Sequence, residues 1–183
     1  MDPNVIRELD KAYALISQAH YRLIDLWVRH IVFSWRWWLV ALLDIAAWTA
    51  WFFLRKKEST SRLLFAGFIV LILSSWLDFI GVQLGAWSYY VCVDPLSPSY
   101  ITWDFTLLPI AAMLFLQYKP NANLLLKAVI YSAIGSFIIQ PLFEWLGIYN
   151  SKGWKDWYSF PILAVIYLTA HFVSRRKGFG ELI

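Results

Sequence analysis

The chain has 183 residues, of which 60% are hydrophobic and 15% are charged. Soluble domains are about 45–50% apolar and about 25% charged, so this composition argues against a water-soluble domain and favours one integral membrane domain. The net charge of +4 does not indicate nucleic-acid binding, because the basic residues stand in short clusters at the ends of apolar segments. The single cysteine, Cys92, excludes an internal disulfide and a cysteine-based zinc site, and neither a metal nor a cofactor is expected.

Residues 1–36 predict an amphipathic helix that lies in the membrane interface. Pro3 suits a first helical turn. Arg22, Asp25, Arg29 and Arg36 recur at three- and four-residue steps opposite an apolar stripe, which predicts a structural network of ion pairs. Charged residues opposite Leu and Trp are typical of an interfacial helix, and the alternative is a helix packed on the rest of the protein. Because charges at mid-bilayer depth are costly, residues 3–34 are not expected to cross the membrane.

Five apolar segments follow and predict an all-α bundle of transmembrane helices. The expected spans cover residues 37–54, 63–84, 103–118, 124–148 and 158–173. They make residues 37–177 one five-helix domain, which leaves residues 178–183 as a short tail. Asp44 stands inside the first span, where it is either a second polar site or a partner of Gln117.

The basic residues set the expected orientation. Lys and Arg occur in the links at residues 55–62 and 119–123 and near the C-terminus, whereas the loop at residues 85–102 has none. Because Lys- and Arg-rich loops stay in the cytoplasm, the C-terminus is expected inside and the loop at 85–102 outside. The N-terminal helix then lies outside with its own Arg residues, in conflict with the same rule.

Three acids are expected at one membrane depth. Asp78 is near the end of the second span, Asp104 begins the third, and Glu144 is near the end of the fourth. An uncompensated acid in an apolar segment is expensive and marks a candidate site. We therefore expect the acids to line one ligand-binding cavity together with Gln83, Trp87, Trp103 and Gln140. Arg36 is the candidate internal counter-ion, and if it fills that role the site is a structural ion-pair network rather than a ligand site. The alternatives are a helix cap for Asp104, an exposed position for Glu144 and an ordinary interfacial belt for the aromatic residues.

Six segments carry a family resemblance: FSWRWW, RKKEST, SSWLDFIGVQLGAWSYY, PSYITWDFTLLPIAAMLFLQYKP, QPLFEWLGIYNSKGW and YSFPI. They resemble a family of small multi-pass membrane proteins of spore-forming Firmicutes, and the resemblance covers about residues 30–175. It implies a bacterial cell-membrane protein and no particular reaction. A much weaker similarity is to membrane cyclases of the lycopene-cyclase type. This chain lacks their paired glutamates after a proline, and Pro141 followed by Glu144 matches that motif only in part.

Three functions are compatible with these features. The leading hypothesis is an acidic, aromatic-lined pocket in one leaflet that binds a cation or an amphiphilic lipid-like molecule. The second is an isoprenoid cyclase in which Asp78, Asp104 or Glu144 supplies the proton. The third is a proton-coupled carrier that uses Asp44 and the outer acids as a relay. The expected partners are membrane lipid and a cationic or amphiphilic small molecule, with no nucleic acid, and an oligomer is compatible with the sequence.

Overall fold

The computed structural model describes residues 1–176, which form an all-α structure. Its helices are α1 (Pro3–Leu26), α2 (Trp35–Leu54), α3 (Thr60–Gln83), α4 (Leu108–Gln117), α5 (Leu124–Ile134), α6 (Gln140–Trp145) and α7 (Asp156–Ser174). Three π-helical segments adjoin them, Trp27–Ile31 after α1, Ile101–Leu107 before α4 and Gly135–Ile139 between α5 and α6, and a 3-10 turn, Lys57–Ser59, precedes α3. Two short strands, β1 (Ser88–Tyr89) and β2 (Tyr149–Asn150), pair antiparallel.

Four continuous helices are long and apolar enough to cross a membrane: Trp35–Leu54, Lys57–Gln83, Leu124–Trp145 and Asp156–Ser174. A fifth apolar helix, Ile101–Gln117, is shorter. The all-α bundle predicted from the sequence is therefore confirmed, and the boundaries lie within three residues of those expected, except that the 3-10 turn extends the second helix back to Lys57. The fourth span ends at Trp145 rather than at 148, because Gly147 adopts a φ of 68°, a left-handed conformation that terminates a helix.

Two of the π-helical segments precede prolines. Pro109 follows the segment Ile101–Leu107, and Pro141 follows the segment Gly135–Ile139. Proline cannot donate the next helical hydrogen bond, so the helix can widen locally without losing a bond that it would otherwise make. The first of these segments carries Thr102 and Asp104, which places polar side chains inside an apolar bundle.

The main core lies between α3, α4, α5 and α7 and includes the fully buried Val70, Met113 and Tyr167. A second core lies under the loops that follow α3 and α6 and contains Tyr100 and Phe143. Pairing of β1 with β2 joins those two loops at one end of the bundle. At the other end, the backbone N–H of Lys56 donates to the Gln117 side chain, which joins the α2–α3 link to the end of α4.

Helix α1 has no buried side chain and is not among the membrane-length apolar helices. Within the predicted helix at residues 3–34, α1 itself buries nothing, whereas its continuation contacts the rest of the chain: Trp27 Nε1 donates to the carbonyl oxygen of Cys92 at 2.9 Å, and Ile31 packs on the second core. The predicted network of ion pairs reduces to the exposed pair Asp25–Arg29, whose N–O distance is 2.7 Å. Within residues 1–176, neither Arg22 nor Arg36 forms an ion pair. The predicted tail at 178–183 and the predicted domain end at 177 lie outside the described residues.

Candidate functional site: an acidic aromatic cavity

A cavity opens at the end of the bundle where β1 pairs with β2. Its cavity volume is about 90 Å³, below the range of about 300–1,000 Å³ that is usual for sites enclosing a whole small molecule. Its walls come from α3, the two loops, the π-helical start of the third span, α6 and α7. We call it the acidic cavity because its polar lining includes the carboxyl groups of Asp78 and Asp104.

Asp78 lies on the buried face of α3 and accepts hydrogen bonds at both carboxylate oxygens. Its Oδ1 accepts from Trp87 Nε1 at 2.8 Å and from the Tyr89 hydroxyl at 2.6 Å. Its Oδ2 accepts from the backbone N–H of Tyr100 at 3.0 Å, at the start of the third span. An ionised carboxylate is acceptor-only, so three converging donors suit a negatively charged Asp78. The same three bonds join the first part and the last part of the loop at residues 84–100 to α3.

Asp104 has the opposite environment. It is 1% exposed, and both of its carboxyl oxygens are buried without a hydrogen-bond partner among residues 1–176. Its carboxyl group lies close enough to that of Asp78 for the two to interact. Two carboxylates in one low-dielectric cavity cannot both ionise cheaply, so the pair needs a proton or an added cation. A proton shared between Asp78 and Asp104 would satisfy the pair, and the Ser74 hydroxyl also interacts with the Asp104 carboxyl group.

Aromatic rings form the wall around the two acids. Tyr89 stacks on Tyr100 with ring centroids 4.1 Å apart, and Trp87 meets Trp154 edge-to-face at 4.9 Å. Burial, together with the charges of Asp78 and Asp104, raises the pKa of Tyr89 well above its ordinary value. The Tyr89 hydroxyl therefore stays protonated and remains a donor at physiological pH.

The acidic cavity is apolar away from the carboxyl groups. Leu77, Leu108, Ile162, Leu163 and Ile166 line this part, and they come from α3, α4 and α7. Leu77 is also 43% exposed on the outer surface of the bundle, so the apolar part of the cavity reaches a membrane-facing side chain. The lining of the cavity thus combines acidic, aromatic and apolar side chains.

Five of the residues predicted for one cavity are brought together: Asp78, Trp87, Trp103, Asp104 and Gln140 all line it. Gln140 is held there because its Nε2 donates to Asp156 Oδ1 at 2.9 Å.

The other predicted members do not line the cavity. Glu144 is exposed, and its Oε1 accepts from the backbone N–H and the hydroxyl of Ser151 at 3.2 and 2.7 Å. Gln83 is exposed at the end of α3. Arg36 is wrong as the counter-ion, because its Nε donates to the carbonyl oxygen of Leu146 at 2.7 Å and it is exposed. The three-acid site is therefore a two-acid site without an internal cation.

From the sequence, Tyr89 and Tyr100 have no predicted hydrogen-bonding role, and Tyr149 and Trp154 are not among the predicted cavity residues. All four line the acidic cavity. The pairing of Tyr89 with Tyr149 depends on two-residue strands, which are too short to leave an alternating pattern in the sequence. No sequence signal would have separated these rings from an interfacial belt.

Asp44 forms a second polar contact inside the bundle. Its Oδ2 accepts from the hydroxyl of Thr102 at 2.9 Å, which links α2 to the π-helical segment beside the acidic cavity. The alternative pairing with Gln117 is wrong, because that side chain bonds the Leu54 carbonyl oxygen and the Lys56 N–H instead.

Among residues 1–176, no three His, Cys, Asp or Glu side chains converge on a point where a metal ion could bind. The chemistry of the acidic cavity is therefore the basis on which a function can be inferred. No family model, curated protein or solved structure matches the chain.

Proposed function

We propose that this chain is a multi-pass membrane protein whose acidic cavity binds an amphiphilic cation, such as a lipid with an amine or quaternary ammonium headgroup. One observation carries the proposal. Asp104 is a buried acid whose two carboxyl oxygens accept no hydrogen bond from residues 1–176, and it lies beside a second acid that accepts three. A buried charge without a partner is expensive, and a ligand cation removes that cost.

Charge balance is the first step of the argument. The lining residues include two acids and no Lys or Arg. A ligand with one positive charge would allow Asp78 and Asp104 to be ionised together, whereas an anionic ligand would add a third like charge. A neutral ligand would leave the second acid dependent on a proton.

The aromatic wall is the second step. Rings of Trp87, Tyr89, Trp103 and Trp154 surround the acids. Indole and phenol faces attract cations, and a desolvated contact of this kind is worth about 2 kcal/mol. Quaternary ammonium groups have no N–H donors, so ring faces suit them better than hydrogen-bond acceptors would.

The apolar lining is the third step, because it gives a hydrocarbon chain a place beside Leu77 and Ile162. Burial of apolar chain carbons there is favourable by about 0.8 kcal/mol per methylene. The headgroup would lie at the acids and the chain would point toward the membrane interior.

The proposed placement follows the basic residues. The end of the bundle opposite the acidic cavity carries the Lys- and Arg-rich links, and such ends stay in the cytoplasm. We therefore place the C-terminus inside and the cavity in the outer leaflet of a bacterial cell membrane. The resemblance to membrane proteins of spore-forming Firmicutes supports the same placement.

The test is direct binding to the purified chain in a nonionic detergent, which carries neither an amine nor a charge. Dodecyltrimethylammonium is titrated against dodecanol and dodecyl sulfate, which have the same chain length, and binding is followed by isothermal titration calorimetry. We expect the cation to bind and D104N to weaken its binding at least about tenfold, because an opposite charge within about 4–6 Å changes an equilibrium by a factor of about ten or more.

The matched control is E144Q. It removes the same charge from a carboxylate at a similar depth that lies outside the cavity. Its affinity for dodecyltrimethylammonium should stay at the wild-type value. Equal binding of the cationic and neutral amphiphiles, or a D104N protein that is folded and binds as wild type does, would rule the proposal out.

A second candidate is an isoprenoid cyclase. Apolar side chains from α3, α4 and α7 line the acidic cavity together with Asp104, so a polyene chain could lie against the acid. A carboxylic acid would add a proton to a terminal double bond, ring faces would stabilise the carbocation, and a second group would accept the proton released on ring closure. Lipidomics of a deletion strain complemented with wild type or D104N tests it, and an unchanged isoprenoid profile excludes it.

A further inference from the structure

At the end of the bundle opposite the acidic cavity, three basic side chains converge. Lys127 is in the first turns of α5, and His171 and Arg175 are at the end of α7. Helix α3 alone, with 24 residues, separates the two ends of the bundle by about 36 Å. We call these three residues the basic cluster, and it is independent of the proposed cavity function.

The cluster is brought together by packing rather than by sequence proximity. Helices α5 and α7 run antiparallel side by side, so the start of one meets the end of the other. Lys127 and Arg175 donate to the carbonyl oxygens of Tyr118 and Pro120, which lie two residues apart, and His171 lies one turn before Arg175 on α7. Within residues 1–176, no carboxylate forms an ion pair with any of the three.

Lys127 is the residue that calls for an explanation. It is 8% exposed although it is charged, and its ammonium group donates to the carbonyl oxygen of Tyr118 at 2.9 Å. Arg175 donates through Nη2 to the carbonyl oxygen of Pro120. An ammonium group has three N–H donors and a guanidinium group has five, so one carbonyl each leaves most of them for another acceptor.

A cation with unused donors beside a second cation is stabilised by an anion. Phosphate oxygens suit this arrangement, because they accept several charge-assisted hydrogen bonds at once. The N-terminus of α5 adds the positive end of a helix dipole at the same place. Basic pockets between transmembrane helices at the cytoplasmic surface bind the headgroups of anionic lipids.

We propose that Lys127, His171 and Arg175 form a binding site for a phosphate group, carried by an anionic lipid headgroup or by a free phosphate ion. The competing explanation is that the cations only cap the carbonyl groups at the end of α4. Capping would be satisfied without any anion and would give no preference among lipids.

The experiment is native mass spectrometry of the full chain in nonionic detergent, titrated with dioleoyl phosphatidylglycerol and with dioleoyl phosphatidylcholine. The second lipid carries the same phosphate but is neutral overall. We expect the anionic lipid to bind more tightly, and the K127Q/R175Q variant to lose about 25-fold in affinity for it, roughly fivefold for each cation removed. The matched control is K119Q/R176Q, which removes two cations at the same end but outside the cluster and should retain binding.

Inorganic phosphate distinguishes the two sources. Displacement of phosphatidylglycerol by millimolar phosphate, together with the lipid preference, assigns the site to the phosphate group of a lipid headgroup. Protection against thermal unfolding by phosphate, without a lipid preference, assigns it to the free ion. Equal losses in test and control variants, or neither a lipid preference nor a phosphate effect, would overturn the proposal. If K127Q/R175Q fails to fold, the single variant R175Q, at an exposed position, is used instead, and its affinity for phosphatidylglycerol should fall about fivefold.

Discussion

Replacing Gly81 by alanine tests how the aromatic wall is held. A Cβ atom at this position would lie 2.1 Å from two ring carbons of Trp87, far inside van der Waals contact. The indole ring packs against the backbone of α3 only because residue 81 has no side chain. In G81A the ring must shift, and the 2.8 Å bond from Trp87 Nε1 to Asp78 breaks or distorts.

The expected cost follows from two terms. If Trp87 stays, overpacking costs about 1–3 kcal/mol. If it swings out, the lost hydrogen bond to a charged group costs about 1.5–3 kcal/mol. The better helix propensity of alanine offsets about 1 kcal/mol of either. A net loss of about 0–2 kcal/mol if the ring stays, or about 0.5–2 kcal/mol if it swings out, should therefore appear in unfolding, together with weaker binding of dodecyltrimethylammonium.

The assay is reversible unfolding in mixed micelles, followed by tryptophan fluorescence, with G67A as the control. Gly67 is on the same helix, but its added Cβ would meet the sulfur of Met113 at 2.8 Å, at the flexible end of a side chain that can move aside. G67A should therefore cost less than G81A. A G81A protein that is as stable as wild type and binds the cation equally well would refute the account of the wall.

Two further predictions concern polar contacts away from the wall. T102V removes the hydroxyl that donates to Asp44, and this change should destabilise the bundle by about 0.6–1.7 kcal/mol. The control T169V should cost less, because the Thr169 hydroxyl bonds a carbonyl oxygen of its own helix. Equal effects of the two substitutions on the free energy of unfolding would contradict this prediction. Burial raises the pKa of the Cys92 thiol to about 11. Because the thiolate is the nucleophile, maleimide labelling of Cys92 should be slow at neutral pH and should accelerate about tenfold per pH unit up to the pKa. A labelling rate that is independent of pH would contradict the raised pKa.

The helices and the Asp78–Asp104 pair could be predicted from the sequence because both depend on depth. Asp78 ends one apolar segment and Asp104 begins the next, so a connection that starts and finishes at one end of the bundle places both at a similar level. The free-energy cost of an unpaired carboxyl group in lipid then favours side chains that point into the bundle. The structure places both on the cavity side.

Glu144 shows where that reasoning stops. It shares the depth of the other acids, but residues in a helix rotate by about 100° per position. Phe143 lines the cavity, and Glu144, one residue further, is exposed. A span that is apolar on nearly every side carries no periodic pattern that reveals which face is inside. Depth can therefore be read from such a sequence, and the rotation of the helix cannot.

Arg36 was mistaken for a related reason. A cation at the right depth is an obvious partner for buried acids, but the loop after α6 offers a carbonyl oxygen that is closer. Arg36 donates to Leu146 O, beside the turn where Gly147 ends the helix. The geometry of that turn depends on tertiary contacts, so the spacing of charged residues in the sequence does not predict it.

The most direct measurement of the central claim is the position of a bound headgroup. An experimental structure of the chain with dodecyltrimethylammonium should show the ammonium group against the Asp104 carboxyl group and the ring of Trp87 or Trp103, with the alkyl chain beside Leu77 and Ile162. A headgroup bound outside the acidic cavity, or an alkyl chain occupying the position beside Asp104 with the cation in solvent, would contradict the account.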